Sequence, residues 1–282
     1  MPIEDVKMGK AIAAGAEGQV SMAMVRGVQC VAKTLKKNPI PSAHDDLIRE
    51  LDLLTGMHDH PNVVKFVGAC IKDPDNPILL EEWVGGPSLE KFLIDRRPAK
   101  LEKRTIWSWT NDLLQGLNFL HNRNPIIIHR DLKPANLLLS TDLCTLKLTD
   151  FGLSKAVDRS QRDTATHTGF TGTKRYMAPE VRSQMVGHYD EKVDIFSSAL
   201  ICWYIATMQA PAILPDDALQ ARPNLALVQW PSFEALLTQM WAHESRARPS
   251  AQSCIQMLQS MPDKPDMSKG PAPASAGCCS VQ

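Results

Sequence analysis

The stretch from Ile126 to Gly152 constrains the rest of the chain most. Two short apolar runs, Ile126–Ile128 and Leu137–Leu139, bracket the polar loop His129-Arg-Asp131-Leu-Lys133-Pro-Ala-Asn136. A third segment, Leu146-Lys147-Leu148, alternates like a half-buried strand and delivers Asp150, Phe151 and Gly152. The polar residues form a coherent chemical set. A carboxylate at Asp131 can orient a hydroxyl and take its proton, and Lys133 can steady a migrating phosphoryl group. Asn136 and Asp150 offer hard oxygens of the kind Mg²⁺ prefers. Phosphoryl transfer rests mainly on positioning and charge stabilisation, so four such groups at one locus make a sensible site for it.

His129-Arg130-Asp131 with Asn136, followed by Asp150-Phe151-Gly152, resembles the catalytic and metal-binding loops of eukaryotic protein kinases. Three further phrases look like the tyrosine-kinase-like group, which includes mixed-lineage and Raf-like kinases. They are His60-Pro-Asn-Val-Val-Lys-Phe66, Gly152-Leu-Ser-Lys155 and Gly172-Thr-Lys-Arg-Tyr-Met-Ala-Pro-Glu180. The resemblance covers residues 6 to 260. It implies an α+β, bilobal protein kinase fold with a small β-rich N-lobe over residues 1–81, a hinge at 82–86 and a mainly helical C-lobe over 87–261. It also implies ATP and Mg²⁺, with Asn136 and Asp150 as the metal ligands. Lys133 within Asp-Leu-Lys-Pro, together with Thr173, implies Ser/Thr acceptors on protein substrates.

Bulk composition agrees with a globular chain of this size. Lys+Arg and Asp+Glu each number 31 in 282 residues, so no charge excess points to nucleic acid. The seven cysteines make no metal or disulfide pattern, which suits a reducing compartment. The longest apolar stretch, Phe196 to Met208, is too short to span a bilayer. A soluble, cytoplasmic protein is the expectation.

Near the N-terminus, Ile12-Ala13-Ala14-Gly15-Ala16-Glu17-Gly18-Gln19-Val20 reads as strands around a Gly-containing turn that can close over phosphates. By resemblance, Ile12, Ala13, Ala14, Gly15, Gly18, Val20 and Val31 line the nucleotide, and Lys33 contacts its α and β phosphates. Ala13 in place of the first glycine, Glu17 at the tip and Val31 over the adenine depart from the family and are expected to weaken ATP binding. From Ser42 to Met57 apolar residues recur at helical spacing, and Glu50 lies on or near that stripe, where it needs a cation; Lys33 is the partner implied.

Ile78-Leu-Leu-Glu81-Glu82-Trp83-Val84-Gly85-Gly86 resembles the connection between kinase lobes. The backbones of Glu82 and Val84 are then expected to meet the adenine, with Leu138 lining the same slot. Two registers are open at the gatekeeper position, Glu81 or Leu80, and a buried carboxylate there needs a partner or a raised pKa. Further on, residues 101 to 122 and 190 to 207 read as helices, the second buried all round, so its Asp194 needs partners. The resemblance has Asp194 hold the catalytic-loop backbone, Thr173 bond Asp131 and Lys133, and Arg248 pair with Glu180. It also makes 153–177 the activation segment, with Thr168 or Thr171 as the phosphorylated residue and Arg130 as its cation. The chain between Thr207 and Arg222 is short for the family, so the docking helix is expected to be trimmed.

From residue 262 to 282 the composition turns to Pro, Lys, Asp, Ser, Gly and Ala, a disordered tail. It ends Cys278-Cys279-Ser-Val-Gln282, which fits a Cys-a-a-X prenylation signal at Cys279 with Cys278 available for an acyl chain, and so a membrane-anchored alternative. A second reading of the whole chain is a pseudokinase or scaffold. It draws on Ala13, Glu17, Val31 and Glu81 clustering around the nucleotide.

Overall fold

The computed structural model describes residues 2–14, 18–35, 41–73, 76–95, 100–157, 173–182, 190–213, 215 and 218–268. The chain divides into two compact units, Met1–Val84 with Thr149–Ser154, and Gly85–Leu148 with Lys155–Gln282. The boundary after Val84 falls inside the 82–86 connection, and the Asp150 segment groups with the strand-rich unit. The class is α+β.

In the first unit, strands β1 (Val6–Ala14), β2 (Gly18–Val25), β3 (Val28–Leu35), β4 (Phe66–Cys70) and β5 (Ile78–Glu82) form one antiparallel sheet in the order β1-β2-β3-β5-β4. Strand period sends alternate residues to opposite faces. Cys30 and Ala32 of β3 and Ile78 and Leu80 of β5 therefore share a core with Val6, Ala23, Val25 and Cys70. Each large aliphatic side chain buried there contributes about 1.5–3 kcal/mol. Lys33 and Glu81 point to the other face. Gly18 opens β2 opposite Leu35, and a Cβ there would sit 2.4 Å from the Thr34 carbonyl oxygen, so only glycine fits. Helix α1 (Pro41–Thr55) buries Leu47, Glu50 and Leu54, at spacings of three and four, along one stripe. That geometry turns the Glu50 carboxylate inward.

The second unit contains α2 (Leu89–Asp95), α3 (Lys103–His121), α4 (Pro179–Arg182), α5 (Lys192–Thr207), α6 (Pro231–Met240) and α7 (Ala251–Gln259). Two small antiparallel sheets accompany them: β6 (Gly85–Ser88), β8 (Leu137–Ser140) and β9 (Leu146–Leu148) in the order β6-β8-β9, and β7 (Ile126–Ile128) with β10 (Lys155–Val157). Ile106, Trp109, Leu113, Leu117 and Leu120 make the buried stripe of α3. Helix α5 is buried from Val193 to Thr207 on every side. It ends where Met208 adopts a left-handed conformation, φ 56°, with its N–H donating to the Tyr204 carbonyl. Among the described residues no helix lies between Thr207 and Leu225. None of the described helices is long and apolar enough to cross a membrane.

Candidate active site

Two constellations hold the residues singled out from sequence, one in each unit. In the first unit the ammonium of Lys33 lies 2.5 Å from Glu50 Oε1, 3.6 Å from Asp150 Oδ1 and 3.6 Å from Glu81 Oε2. Glu50 Oε1 also accepts a 3.0 Å hydrogen bond from the Phe151 N–H, tying α1 to the Asp150 segment. The Gly152 carbonyl accepts from Arg49 in the same helix. Asp150 takes a left-handed backbone, φ 68°, and its side chain stays half exposed, while Phe151 is fully buried.

Burial alone would lower the Lys33 pKa, but the carboxylates of Glu50, Glu81 and Asp150 outweigh it and hold the ammonium above its ordinary range. Glu81 behaves in the opposite sense. Burial pushes its carboxyl up to about 7; Lys33 offsets part of the rise, and Glu50 and Asp150 add to it. The cross-strand register separates the two candidates by face. Leu80 pairs with Ala32 in the core, whereas Glu81 pairs with Val31 on the Lys33 face. The Glu82 N–H donates to the Lys65 carbonyl and its carboxylate accepts from the Lys65 N–H.

Ile12, Ala13 and Ala14 lie on the exposed end of β1, with Ala13 opposite Val20 of β2; Val31 and Val84 are half-buried. Gly15 and Glu17 lie outside the described residues, as do Thr168 and Thr171 and the terminal Cys278 and Cys279.

The second unit carries the loop after β7. Asp131 is buried and accepts four hydrogen bonds through its carboxylate. Lys133 Nζ (2.6 Å) and Asn136 Nδ2 (3.2 Å) reach Oδ2, and the Thr173 N–H (2.8 Å) and Oγ1 (3.0 Å) reach Oδ1. Thr173 thus bonds Asp131, and Lys133 meets the same carboxylate on its other oxygen. Asn136 also donates to the Asp131 carbonyl at 2.9 Å, which leaves its amide oxygen as the end that can meet a cation. That oxygen is a hard donor of the type Mg²⁺ prefers, as is, in the first unit, the half-exposed Asp150 carboxylate taken by itself. Leu138 is half-buried, paired with Ser88 and Lys147.

Asp194, 1% exposed, fixes the start of this loop. Its Oδ2 accepts from the His129 N–H (2.8 Å) and lies 2.9 Å from His121 Nε2, and its Oδ1 accepts from the Arg130 N–H (2.9 Å). Burial opposes the ionised form, but the contact with His121 and the loop N–H groups outweigh it and hold the carboxyl below its ordinary range. Arg130, whose N–H makes this bond, has a left-handed backbone, φ 68°. Arg248, fully buried, grips Glu180 with two guanidinium nitrogens at 2.6 and 2.9 Å and lies over the Phe196 ring.

Two anchors escaped the sequence reading. Asp112 of α3 accepts from the Leu146 N–H at 2.9 Å and so sets the entry to β9. Ser197 donates to the Tyr176 carbonyl at 2.8 Å, holding the end of the segment that carries Thr173. A hydroxyl inside an all-buried helix must find an acceptor, so Ser197 was detectable. Asp112, on a helix with ample solvent, carried no such signal.

The protein kinase domain model matches residues 6–261. The chain is 32% identical over 269 residues to the probable serine/threonine-protein kinase drkD of Dictyostelium discoideum, covering 93% of this chain and 20% of that protein. It is 32% identical over 265 residues to the serine/threonine-protein kinase VIK of Arabidopsis thaliana, 88% of this chain and 58% of the relative. To the dual specificity protein kinase shkA of Dictyostelium discoideum it is 31% identical over 254 residues, 87% of this chain and 47% of that one. The chain thus spans between a fifth and just under three fifths of the length of these relatives. With the matched model covering nearly all of the described residues, the chain belongs to the protein kinase domain family.

Proposed function

We propose that the chain is a serine/threonine protein kinase of the tyrosine-kinase-like group, transferring the γ-phosphate of ATP to hydroxyls of protein substrates. The observation that carries this reading is Lys33, held by Glu50 and Asp150 while Glu50 also takes the Phe151 N–H. Such a lysine is oriented rather than merely present, and a preorganised cation stabilises phosphate charge without reorganising. In this account Lys33 binds the α and β phosphates, and Glu50 keeps its ammonium in place. Asp131 orients the acceptor hydroxyl and takes its proton, and Lys133 balances the charge gathering on the transferred group. Asn136 and Asp150 hold Mg²⁺, which when bound neutralises charge on the phosphate oxygens. The Glu82 carbonyl and Val84 N–H meet the adenine edge, with Ile12, Ala13, Ala14, Gly15, Gly18, Val20, Val31 and Leu138 around the base and the phosphates. Thr173, bound to Asp131, and Lys133 favour Ser/Thr acceptors.

Activation follows from phosphorylation of Thr168 or Thr171, by the chain itself or an upstream kinase, with Arg130 receiving the phosphate. The protein works in the cytoplasm, drawn to membranes when Cys279 is prenylated and Cys278 acylated. Changing Cys279 to Ser should then move the protein from the membrane to the soluble fraction, and an unchanged distribution refutes the anchor.

A scaffold that binds partners without turnover is the second reading, favoured by one observation: the buried Glu81 carboxylate beside Lys33. A thermal melt with Mg·ATP separates the two. At a nucleotide concentration near 100 times Kd, binding should stabilise the fold by about 2.7 kcal/mol. That corresponds to a rise in Tm of roughly 5 °C for a chain of this size. Lys33→Met should abolish most of the rise, and a wild type that does not shift rejects the nucleotide site.

A further inference from the structure

The Lys33 cluster contains one more anion than a phosphate-binding lysine needs. Glu50 makes the short contact, Asp150 is half exposed and answers to solvent, and Glu81 is 2% exposed on β5. Glu81 Oε2 stands 3.6 Å from the ammonium, and its Oε1 is buried with no hydrogen-bond partner. The groups facing it are Lys33 from β3, Glu50 from α1 and Asp150 from the 149–154 segment. Phe66 of β4, its cross-strand partner, carries no charge. One ammonium therefore serves three carboxylates in a poorly solvated place, where each added negative charge acts strongly.

We propose that Glu81 is a positioning residue which, when ionised, draws on the Lys33 ammonium in competition with nucleotide phosphates, so that phosphate binding is strong with Glu81 neutral and weak with it charged. This rests on the reading of Lys33 as a nucleotide-phosphate ligand. The burial that lifts the Glu81 carboxyl to about 7 puts the change within the ordinary working range of pH. The effect is confined to phosphates. A nucleoside offers no anion to Lys33 and is indifferent to how the ammonium is shared.

The test is calorimetric titration of the full chain with Mg·ATP and, separately, with adenosine, between pH 6 and 8. Wild type is compared with Glu81→Gln, which keeps the shape, and Glu81→Leu, which removes the charge with apolar volume. Affinity is read as the ratio of variant to wild type at each pH, so the nucleotide's own titration cancels. For Mg·ATP the ratio should climb from near one at pH 6 to on the order of tenfold at pH 8, in both variants, as one linked proton allows. For adenosine it should stay flat. A Mg·ATP ratio that does not change with pH overturns the role of Glu81 while leaving the nucleotide site standing. An equal rise for adenosine also overturns it, because the effect would then lie in the shape of the slot. If neither ligand binds any of the three proteins, the nucleotide reading itself fails and the inference with it.

Discussion

Replacing Asp194 by Ala should unfasten the loop that carries Asp131. Three groups lose their acceptor together: the His129 and Arg130 N–H groups, at 2.8 and 2.9 Å, and His121 Nε2 at 2.9 Å. The two N–H groups lie where water does not replace the carboxylate, since Asp194 is 1% and His129 0% exposed. A buried donor left without a partner costs about 1–3 kcal/mol. Two of them, with the charge-assisted contact to His121, come to about 3–5 kcal/mol. Arg130 adds a second consequence. Its φ of 68° costs about 1–2 kcal/mol for a residue with a Cβ, and the Asp194 hydrogen bond to its N–H helps to oppose its relaxation. Asp194→Asn keeps one acceptor oxygen but turns an NH₂ group toward the other donor, so about half the loss is expected. Urea unfolding followed by tryptophan fluorescence suits the measurement, because five of the six tryptophans (all but Trp83) belong to the unit that contains Asp194. A loss below about 1 kcal/mol for Asp194→Ala would refute the idea that this carboxylate holds the loop.

Arg248→Lys should cost about 2 kcal/mol or more. A point charge cannot reproduce the two-nitrogen grip on Glu180 or the bonds to the Ala242 and His243 carbonyls, and equal stability in urea would contradict that. The pH dependence of stability should have two limbs. Asp194 is held below its ordinary pKa, so the stability it contributes is present above the unfolded value of about 4 and is lost as pH falls through the folded one. Glu81 works the other way. Between its ordinary 4.5 and about 7 the folded protein keeps a proton that the unfolded chain has released. Its contribution is therefore present below 4.5 and declines as pH rises toward 7. Thermal melts across pH 5 to 8 should show Glu81→Gln gaining on wild type as pH rises, and parallel curves would show that Glu81 does not titrate there.

Much of the site was legible before any coordinates. Strong periodicity made α1 readable, and Glu50 on its apolar stripe announced a buried carboxylate in need of a cation. The same logic applied to Asp194 in a helix buried on every side. The limits were set by long-range register. Ile78-Leu-Leu-Glu-Glu offers no internal mark to say whether Leu80 or Glu81 faces Lys33, and the pairing of β5 with β3 decides it. The close approach of the Thr34 carbonyl to Gly18 is likewise a cross-strand fact, invisible in a glycine loop read alone. The Phe151 N–H to Glu50 bond joins residues 101 apart in sequence, and no local pattern encodes it. That single contact makes the Lys33 environment more than a pair.

The most direct test of the account is transfer of radiolabelled γ-phosphate from Mg·ATP to the protein and to a generic protein substrate, followed by phosphoamino-acid analysis. Wild type should label serine or threonine. Asp131→Asn should lower the rate at least a hundredfold, as loss of a positioned base does, while leaving the nucleotide-induced rise in Tm in place. Label that persists at the wild-type rate in Asp131→Asn, or a wild type that binds nucleotide and transfers nothing, would contradict the assignment of Asp131 and the kinase activity built on it.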